Sequence, residues 1–410
     1  MNAHTGLHAS LLSAPMLRAE SAYLYDMTGR QYLDFASGAL LGHQHPRIVQ
    51  AVQRQAAELL AEGVGVAAAA AALTSALESV LPQGMALAAL ASHQGEAVEM
   101  AVQVARGITQ RHHVVVFNGA GHGRGALASA LSSVKAAQRP GASLHGGILC
   151  APYPYAYRYG WNEDDTTTYC LTQLDMIFRT LCAPGHIAAI LIEPVQQAAG
   201  VIPAPAAFLA DLRLICDQHG IMLIMDETHT AGRAGRWLAA ETPADLLVLG
   251  ESLAGGLPLA MLATRASLHE AAARPAFATS ATSGYALACA AALTLVQVIS
   301  QDGLLAASAS LSQSLLSHLK DLKDEYRVIG DVRGMGLMVG VEFTTDDQLP
   351  DRKTAASVQR ACLEADLLVR SCGTDDHILC MLPPLVTPEA ALEQALAVFE
   401  DAVLATTTHP

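Results

Sequence analysis

The chain has 410 residues, of which 52% are hydrophobic and 15% are charged, and its formal net charge is −14. This composition excludes an intrinsically disordered chain and predicts a large buried core. The acidic excess and the lack of any run of Lys and Arg exclude a surface that follows a phosphate backbone or binds an anionic membrane. We therefore expect neither nucleic acid nor a membrane as partner.

The eight cysteines are scattered, with no C-x-x-C pair. This spacing indicates neither a disulfide framework nor a zinc clip and is typical of a reducing cytoplasm. The first 20 residues lack a basic segment followed by an apolar core, and no apolar run approaches the ~18 residues of a membrane span. We expect a soluble, cytoplasmic protein.

The N-terminal part is predicted to contain a β-hairpin followed by helices. Residues 23–35 alternate apolar and polar side chains around Asp26-Met27-Thr28-Gly29, which is a hairpin signal. A helix is expected from Pro46 through Leu60. The alanine tract 67–72 leads into a segment of helical periodicity, and because alanine is the best helix former we interpret it as helix.

Short, nearly continuous apolar runs alternate with helical stretches through the middle of the chain. This pattern predicts a parallel sheet covered by helices on both faces. The runs span residues 114–117, 187–193, 221–226, 246–249 and 259–263. From about residue 300 the pattern mixes helices with a strand segment at 332–343 and ends in an amphipathic helix, which predicts a second, α+β domain.

Polar residues follow four of these runs. They are Asn118 to Arg124, Glu193, Asp226 to His229, and Glu251. Ligands of open parallel sheets bind at the carboxyl ends of the strands. A single carboxylate at a strand end often caps the next helix, but three on neighbouring strands favour a polar cleft.

The motifs of the chain, taken together and in order, resemble those of the class III aminotransferases, the ω-transaminase and ornithine aminotransferase group. They are YLYDMTGRQYLDFASG, GHQHP, GHGR, IEPVQQAAGVIPAP, DETHTAGRAGRW, LAGGLPLAML, ALACAAAL, VRGMGLMVGVEF and PPLVTPEA. The resemblance implies an α/β protein of fold type I, whose large domain has a mostly parallel seven-stranded sheet and whose smaller domain is α+β. It also implies a homodimer with active sites at the subunit interface. We expect residues 1–60 to pack with the small domain, 61–300 to form the large domain, and 301–410 to form the small domain.

The resemblance assigns a role to each matching position. This chain departs from the family at the position of the lysine that binds the cofactor covalently. Asp226 keeps the place of the aspartate that pairs with the pyridine nitrogen of pyridoxal phosphate. The family's Schiff-base lysine lies in a pattern like G-K-x-x-x-G-G, where this chain has Glu251 after Gly250. Because a carboxylate cannot make that covalent link, we expect ordinary transamination to be lost. The remaining lysines, none of which follows a core strand, are Lys135, Lys320, Lys323 and Lys353.

Other cofactor and substrate positions differ as well. The family's phosphate-binding S-G-x-E-A begins here with His93, its ring-stacking aromatic is Gly121, and its D-E-V-Q glutamine is His229. The partner subunit's phosphate-binding threonine aligns with Ala281, beside Thr282. Cys380 replaces a substrate-binding arginine, so no carboxylate is expected to bind there. We expect no cofactor to bind in the usual way, which leaves these positions as vestiges of its site: His93, Gln94, Gly95, Gly121, Asp226 and Thr282.

The ionisable residues at these positions predict a different chemistry. Glu251, His229, Asp226 and His122 are expected to line one cavity, with His93 near them. Burial raises a carboxylate pKa and a nearby carboxylate raises that of histidine, which suits acid/base catalysis. We therefore predict cofactor-free acid/base catalysis by these four residues on a small molecule. Isomerisation, cyclisation, dehydration and hydrolysis, in specialised-metabolite biosynthesis, all fit.

Several alternatives stay open. A catalytically silent binding or scaffolding protein is one, although an idle pocket would be expected to fill with apolar residues. Non-covalent use of pyridoxal or pyridoxamine phosphate is another, favoured by Asp226 and weakened by the lost stacking and phosphate contacts. No metal is expected, because the histidines and carboxylates come from separate loops without ligand spacing. Cys380 could be a nucleophile, but its apolar surroundings favour an inert thiol.

Overall fold

The computed structural model describes residues 15–60, 67–135, 146–272 and 285–408. The strands are β1 (Met16–Glu20), β2 (Tyr23–Asp26), β3 (Gln31–Asp34), β4 (Met85–Ala91), β5 (His113–Phe117), β6 (Ile148–Ala151), β7 (Ile187–Ile192), β8 (Val195–Gln196), β9 (Ile202–Pro203), β10 (Met222–Asp226), β11 (Leu246–Leu249), β12 (Ala260–Arg265), β13 (Ile329–Met335), β14 (Met338–Phe343), β15 (Leu367–Leu368), β16 (Arg370–Cys372) and β17 (Ile378–Met381). The helices are α1 (Pro46–Glu58), α2 (Ala68–Glu78), α3 (Gln94–Thr109), α4 (Ala126–Leu131), α5 (Ala156–Tyr159), α6 (Glu163–Thr180), α7 (Gln197–Gly200), α8 (Ala206–His219), α9 (Ala266–Ala272), α10 (Ala286–Gln301), α11 (Leu304–Glu325), α12 (Arg352–Glu364) and α13 (Glu389–Thr408).

The central sheet has seven strands in the order β4-β12-β11-β10-β7-β5-β6. Strand β10 runs parallel to both β7 and β11, and β5 runs parallel to both β6 and β7. Strand β12 is antiparallel to β11 and to β4. The expected mostly parallel seven-stranded sheet is confirmed, and β12, which the apolar pattern alone placed among the parallel strands, is the exception.

The strands of this sheet are apolar on both faces because helices cover both sides. All six residues of β7 are buried. On one face, α3 packs Val98 and Val102 into a cluster with Val116 of β5 and Val248 of β11. On the other face, α8 contributes Phe208 and Leu212 to the larger core. Burial on two sides explains why these strands read as continuous apolar runs rather than as alternating patterns.

The predicted N-terminal elements are present. Strands β2 and β3 pair antiparallel, and the turn between them uses Gly29 at φ +87°. The Asp26 carboxylate accepts hydrogen bonds from the backbone N–H groups of Thr28 and Arg30, which closes the turn. Helix α1 begins at Pro46, whose fixed φ suits the first helical turn. The alanine tract forms the start of α2.

Residues near the C-terminus complete two further sheets. Strand β15 pairs in parallel with β3, which gives the four-stranded order β1-β2-β3-β15. A second, antiparallel sheet has the order β13-β14-β17-β16. The N-terminal strands thus lie beside the C-terminal segment, while the expected domain boundaries at residues 60 and 300 stay predictions.

Among the described helices, no single one is long and apolar enough to cross a membrane. Helices α10 and α11 meet the criteria of length and composition together, but the chain bends by 75° between them.

A buried carboxylate on β14 joins the C-terminal sheet to the large domain. Glu342 has no exposed surface, accepts a 2.6 Å hydrogen bond from Arg333 and lies 3.2 Å from Nε2 of His377. Arg158 of α5 and Tyr155 just before α5 also contact it. Burial alone would raise the pKa of Glu342, but the His377 hydrogen bond and the Arg333 charge lower it to about 2.

Replacing Glu342 with alanine should destabilise the protein by about 3 kcal/mol, because Arg333 would lose a buried partner. Chemical denaturation measures the free energy of unfolding, and the exposed Glu393→Ala serves as control. Since the folded pKa is lowered, the stabilisation is present above the unfolded pKa and is lost as pH falls toward about 2. The difference between the wild type and Glu342→Ala should therefore shrink in acid. An equal decrease in the free energy of unfolding of Glu342→Ala and Glu393→Ala would contradict the stabilising role of Glu342.

Candidate active site

Two adjoining cavities lie at the carboxyl ends of the parallel strands. The first, of about 1030 Å³, borders the start of α3 and is called the α3 lobe. The second, of about 680 Å³, borders residues 37–44 and is called the loop lobe. Four residues line both lobes, which together form the cleft: Gln197, His229, Glu251 and Arg370.

Asp226 ends β10 and is a buried, hydrogen-bonded acid that lines neither lobe, although the sequence predicted it in the cavity wall. Its Oδ2 lies 2.8 Å from Nδ1 of His122 and accepts a 3.0 Å hydrogen bond from the Gln94 side-chain amide. Its Oδ1 accepts the backbone N–H of Thr228 at 3.1 Å. Burial alone would raise the pKa of Asp226, but the hydrogen bond from His122 and the proximity of that ring lower it below its ordinary value. Asp226 is therefore an ionised, buried carboxylate at neutral pH.

His122 lies behind Asp226 and has no exposed surface. Its backbone N–H donates to Oγ of Ser132, and its Nε2 has no hydrogen-bond partner among the described residues. It lines neither lobe, although the sequence predicted it in the cavity wall. Its hydrogen bond instead holds the Asp226 carboxylate in place and favours its ionised form.

Glu251 opens the short 3-10 helix that follows β11, and its side chain lines both lobes. Its Oε1 accepts a 3.1 Å hydrogen bond from the backbone N–H of Gln94, the first residue of α3. A helix N-terminus attracts anions through its unpaired N–H groups and its dipole. Residue 250 is glycine because a Cβ there would lie 2.0 Å from the Thr228 side chain. This contact brings the chain close to Thr228 just before it presents Glu251.

His229 lines both lobes beside Glu251. Burial lowers the pKa of His229, and this outweighs the opposite effects of the nearby Asp226 and Glu251 carboxylates. The two carboxylates do act to raise its pKa, but the expected net rise is wrong, because desolvation of the ring outweighs them. His229 presents a neutral imidazole at neutral pH.

The vestigial cofactor positions cluster at the start of α3. His93 is exposed and caps the helix, since its Nδ1 accepts the Glu96 N–H. The Gln94 amide also donates to the carbonyl of Gly121, at 2.9 Å. A Cβ on Gly123 would lie 2.7 Å from Cα of Gly95, so the loop after β5 approaches the helix as closely as backbone allows. The predicted positions Ala281 and Thr282 lie outside the described residues.

Glu193, which follows β7, is a second buried acid. Its Oε2 accepts a 2.8 Å hydrogen bond from the backbone N–H of Gly121, and its Oε1 has no partner among the described residues. Burial and then the charge of Asp226 raise the pKa of Glu193 well above its ordinary value. Glu193 is therefore a neutral carboxyl group that supports the loop carrying Gly121 and His122.

Arg370 is a charged cleft residue that the sequence did not predict. It begins β16, a strand of three residues, and its exposed side chain lines both lobes. Lys135 lines the α3 lobe, where it forms an ion pair with Asp376. The one available signal was a lone arginine at the end of an apolar run, LLVR, close in sequence to Cys380.

The described parts of the chain contain eight cysteines, and no disulfide joins any of them. Sγ of the buried Cys380 lies 2.9 Å from Sγ of Cys372. Burial raises the pKa of the Cys372 thiol well above its ordinary value. Within the described ranges, no three His, Cys, Asp or Glu side chains come together as metal ligands would.

The sheet order, the buried Asp226 at the end of β10 and the adjacent N-terminus of α3 define an enzyme fold of type I. The chain belongs to the class III aminotransferase family, because the protein-family model described as "Aminotransferase class-III" matches residues 7–403.

Three known proteins show how far the similarity extends. The chain is 36% identical to 4-aminobutyrate aminotransferase GabT of Escherichia coli, over 93% of this chain and 91% of the relative. It is 35% identical to 5-aminovalerate aminotransferase DavT of Pseudomonas putida, over 93% and 92%. The solved structure of an amine transaminase from an uncultivated Pseudomonas species, in its pyridoxal-phosphate-bound form, is 26% identical over 98% of each chain, with a TM-score of 0.90.

These findings correct the functional prediction. The prediction of a cofactor-free acid/base enzyme is wrong, and so is its alternative, a silent scaffolding protein. Relatives 35% identical or more over nine-tenths of the chain are named aminotransferases, and a similar fold was solved with pyridoxal phosphate bound. The expectation of no cofactor is wrong for the same reason. That expectation took the lost contacts together as loss of the cofactor, whereas Asp226 remains ionised at the end of β10.

Replacing Glu193 with glutamine should raise stability, and the gain should grow from about pH 5 to about pH 8. The folded pKa is raised, so above the ordinary pKa the unfolded chain releases a proton that the folded chain keeps, and stability falls as pH rises. Glutamine retains an acceptor for the Gly121 N–H and removes this cost. Thermal unfolding across the pH series measures the effect. A pH-independent difference between the two proteins would contradict the neutral state of Glu193.

Proposed function

We propose that the chain is a pyridoxal-phosphate-dependent enzyme of the class III aminotransferase family that acts on the amino group of a small amino acid. The observation that carries this proposal is the ionised, buried carboxylate of Asp226, held by His122 at the end of β10. A buried charge is costly without a cationic partner. The names of the relatives, which act on 4-aminobutyrate and 5-aminovalerate, support the substrate class.

The residues beside Asp226 fit the ring end of this cofactor. The Gln94 amide lines the α3 lobe and donates one hydrogen bond to Oδ2 of Asp226 from an uncharged group. A protonated ring nitrogen would replace that uncharged donor with a cation, which would give the buried carboxylate an opposite charge as well as a hydrogen bond. Asp226 would hold the ring nitrogen, and His122 would keep Asp226 ionised. The bound cofactor supplies an electron sink for the substrate's amino-bearing carbon.

The start of α3 fits the phosphate end. The N–H of Gln94 points toward an anion, which is Glu251 in this structure. The exposed side chain of Arg124 and the hydroxyl-bearing Ser129 and Ser132 line the same lobe. Helix N–H groups with an arginine are ordinary partners of a phosphate. These residues would hold the phosphate once Glu251 gives up the Gln94 N–H.

We further propose that no lysine links the cofactor in this chain. Glu251 follows β11 where the resemblance places the Schiff-base lysine, and it offers no amine. The one lysine that lines the cleft in the described residues, Lys135, is held by Asp376. His229 would carry protons, because its neutral imidazole lines both lobes and can accept one at its unprotonated ring nitrogen.

A homodimer is part of the proposal, since the family typically works as a dimer with sites at the interface. Sedimentation equilibrium should give about twice the 42.8 kDa of one chain. A monomer at all concentrations would contradict this part alone.

Replacing Asp226 with alanine should weaken the binding of pyridoxamine phosphate at least tenfold, because a charge-assisted hydrogen bond is worth about 1.5–3 kcal/mol. Equilibrium dialysis of the folded proteins measures the dissociation constant, and the exposed Asp321→Ala serves as control. Undetectable binding to the wild-type protein, or unchanged binding to Asp226→Ala, would overturn the proposed cofactor site.

Replacing Glu251 with lysine should create a covalent link to pyridoxal phosphate that the wild-type protein does not form. Borohydride reduction followed by peptide mass spectrometry should find the cofactor on residue 251 of the variant only. Lys135→Ala is the matched control and should behave like the wild type. Cofactor found on Lys135 of the wild type would refute the lysine-free proposal and leave the dependence on pyridoxal phosphate standing.

A further inference from the structure

One cationic side chain, that of Arg370, borders both lobes of the cleft. Arg370 on β16 is paired directly with Cys380 on the antiparallel strand β17. Side chains of directly opposed residues leave a sheet on the same face, with their Cβ atoms about 4.5–5.5 Å apart. Cys380 borders the α3 lobe. The pairing therefore places a long cationic side chain beside Cys380, and Arg370 reaches the loop lobe as well.

Among the described residues, Arg370 has no anionic partner. No ion pair or hydrogen bond joins its guanidinium to another residue in the described ranges, and its side chain is exposed. It is close enough to the interior of the cleft to lower the pKa of His229, although less than burial does. Glu251 lines the same cavities, but its Oε1 is engaged by the Gln94 N–H. The guanidinium is thus available to an anion that enters the cleft.

The other arginine of the loop lobe is already occupied. Arg233 is 2% exposed, and its guanidinium donates to the carbonyl oxygens of Gly38, Leu382 and Pro383. Among the described residues that line this lobe, Glu251 is the only acid. In the loop lobe, Arg370 is therefore the arginine whose guanidinium can donate hydrogen bonds to a ligand.

We propose that Arg370 binds the carboxylate of the amino acid substrate, a role that the sequence did not assign to any residue. The planar guanidinium suits a carboxylate because it donates two parallel hydrogen bonds. This proposal departs from the expectation, drawn from Cys380, that no carboxylate is bound at this wall, because Arg370 lies on the neighbouring strand. The inference rests on the proposed function for the identity of the substrate.

Glutarate, a five-carbon dicarboxylate, is the probe, and its neutral diamide glutaramide is the matched ligand. Calorimetry with protein saturated in pyridoxamine phosphate should show that Arg370→Leu weakens glutarate binding roughly ten- to a hundredfold, as expected for charge-assisted hydrogen bonds. Arg370→Lys should retain part of the affinity. Glutaramide binding should not change, and Arg360→Leu, outside the cleft, should match the wild type.

Unchanged glutarate affinity in Arg370→Leu would overturn the inference, as would equal losses for glutarate and glutaramide, which indicate a structural effect. Binding of pyridoxamine phosphate, measured by dialysis on the same preparations, separates the two proposals. If the wild-type protein binds no such cofactor, the proposed function fails, and glutarate titration of the cofactor-free protein still decides the role of Arg370.

Discussion

The cleft depends on one constraint, which is that the Asp226 carboxylate stays ionised although it is almost wholly buried. Desolvation opposes the charged form, so three donors are needed to hold it: the His122 ring, the Gln94 amide and the Thr228 N–H. Each donor comes from a different connection at the carboxyl edge of the sheet. The loop after β5, the start of α3 and the turn after β10 must therefore converge on one point, and the close approach of Gly123 to Gly95 is how two of them fit together.

The same convergence places Glu251 at the start of α3. Its carboxylate takes the first N–H of that helix, which is the group that a phosphate would use. Binding of a phosphate there would exchange one anion for another and would free the Glu251 carboxylate within the cleft that also holds His229. Because His229 is neutral through desolvation, a closer approach of that carboxylate would favour proton uptake by the ring. Cofactor binding would then be coupled to the protonation state of His229 through one side chain.

Much of the fold was predictable because its signals are local. The runs at 114–117, 187–193 and 246–249 became strands β5, β7 and β11, and the turn at Asp26 and Gly29 formed as expected. The placement of polar residues at strand ends also predicted where the cleft lies. The position of His122 behind Asp226 was not predictable, because a motif gives the spacing of residues and not the direction of a side chain.

Two features of the site required the folded structure. The pKa of His229 depends on desolvation by residues distant in sequence, so proximity to carboxylates gave the wrong sign. Arg370 lies on a three-residue strand that is too short to show periodicity in the sequence. Its pairing with Cys380 becomes visible only in the folded structure. The functional prediction failed for a related reason. The departures from the family pattern were taken together as loss of the cofactor, although the folded chain keeps Asp226 ionised at the end of β10, which the sequence alone does not show.

The positions of the charged groups along the cleft indicate which charges a complementary ligand would carry. Asp226 lies beneath the α3 lobe as a fixed anion, His229 between the lobes is neutral, and Arg370 borders both lobes as a cation without an ion-pair partner among the described residues. A molecule with cationic and anionic groups at opposite ends complements this order, whereas a simple amine satisfies only half of it and leaves Arg370 unpaired. Since a bidentate guanidinium fixes orientation as well as affinity, a carboxylate held by Arg370 would set the distance at which the amino group meets His229. Recognition at one end of the cleft would then control proton transfer at the other.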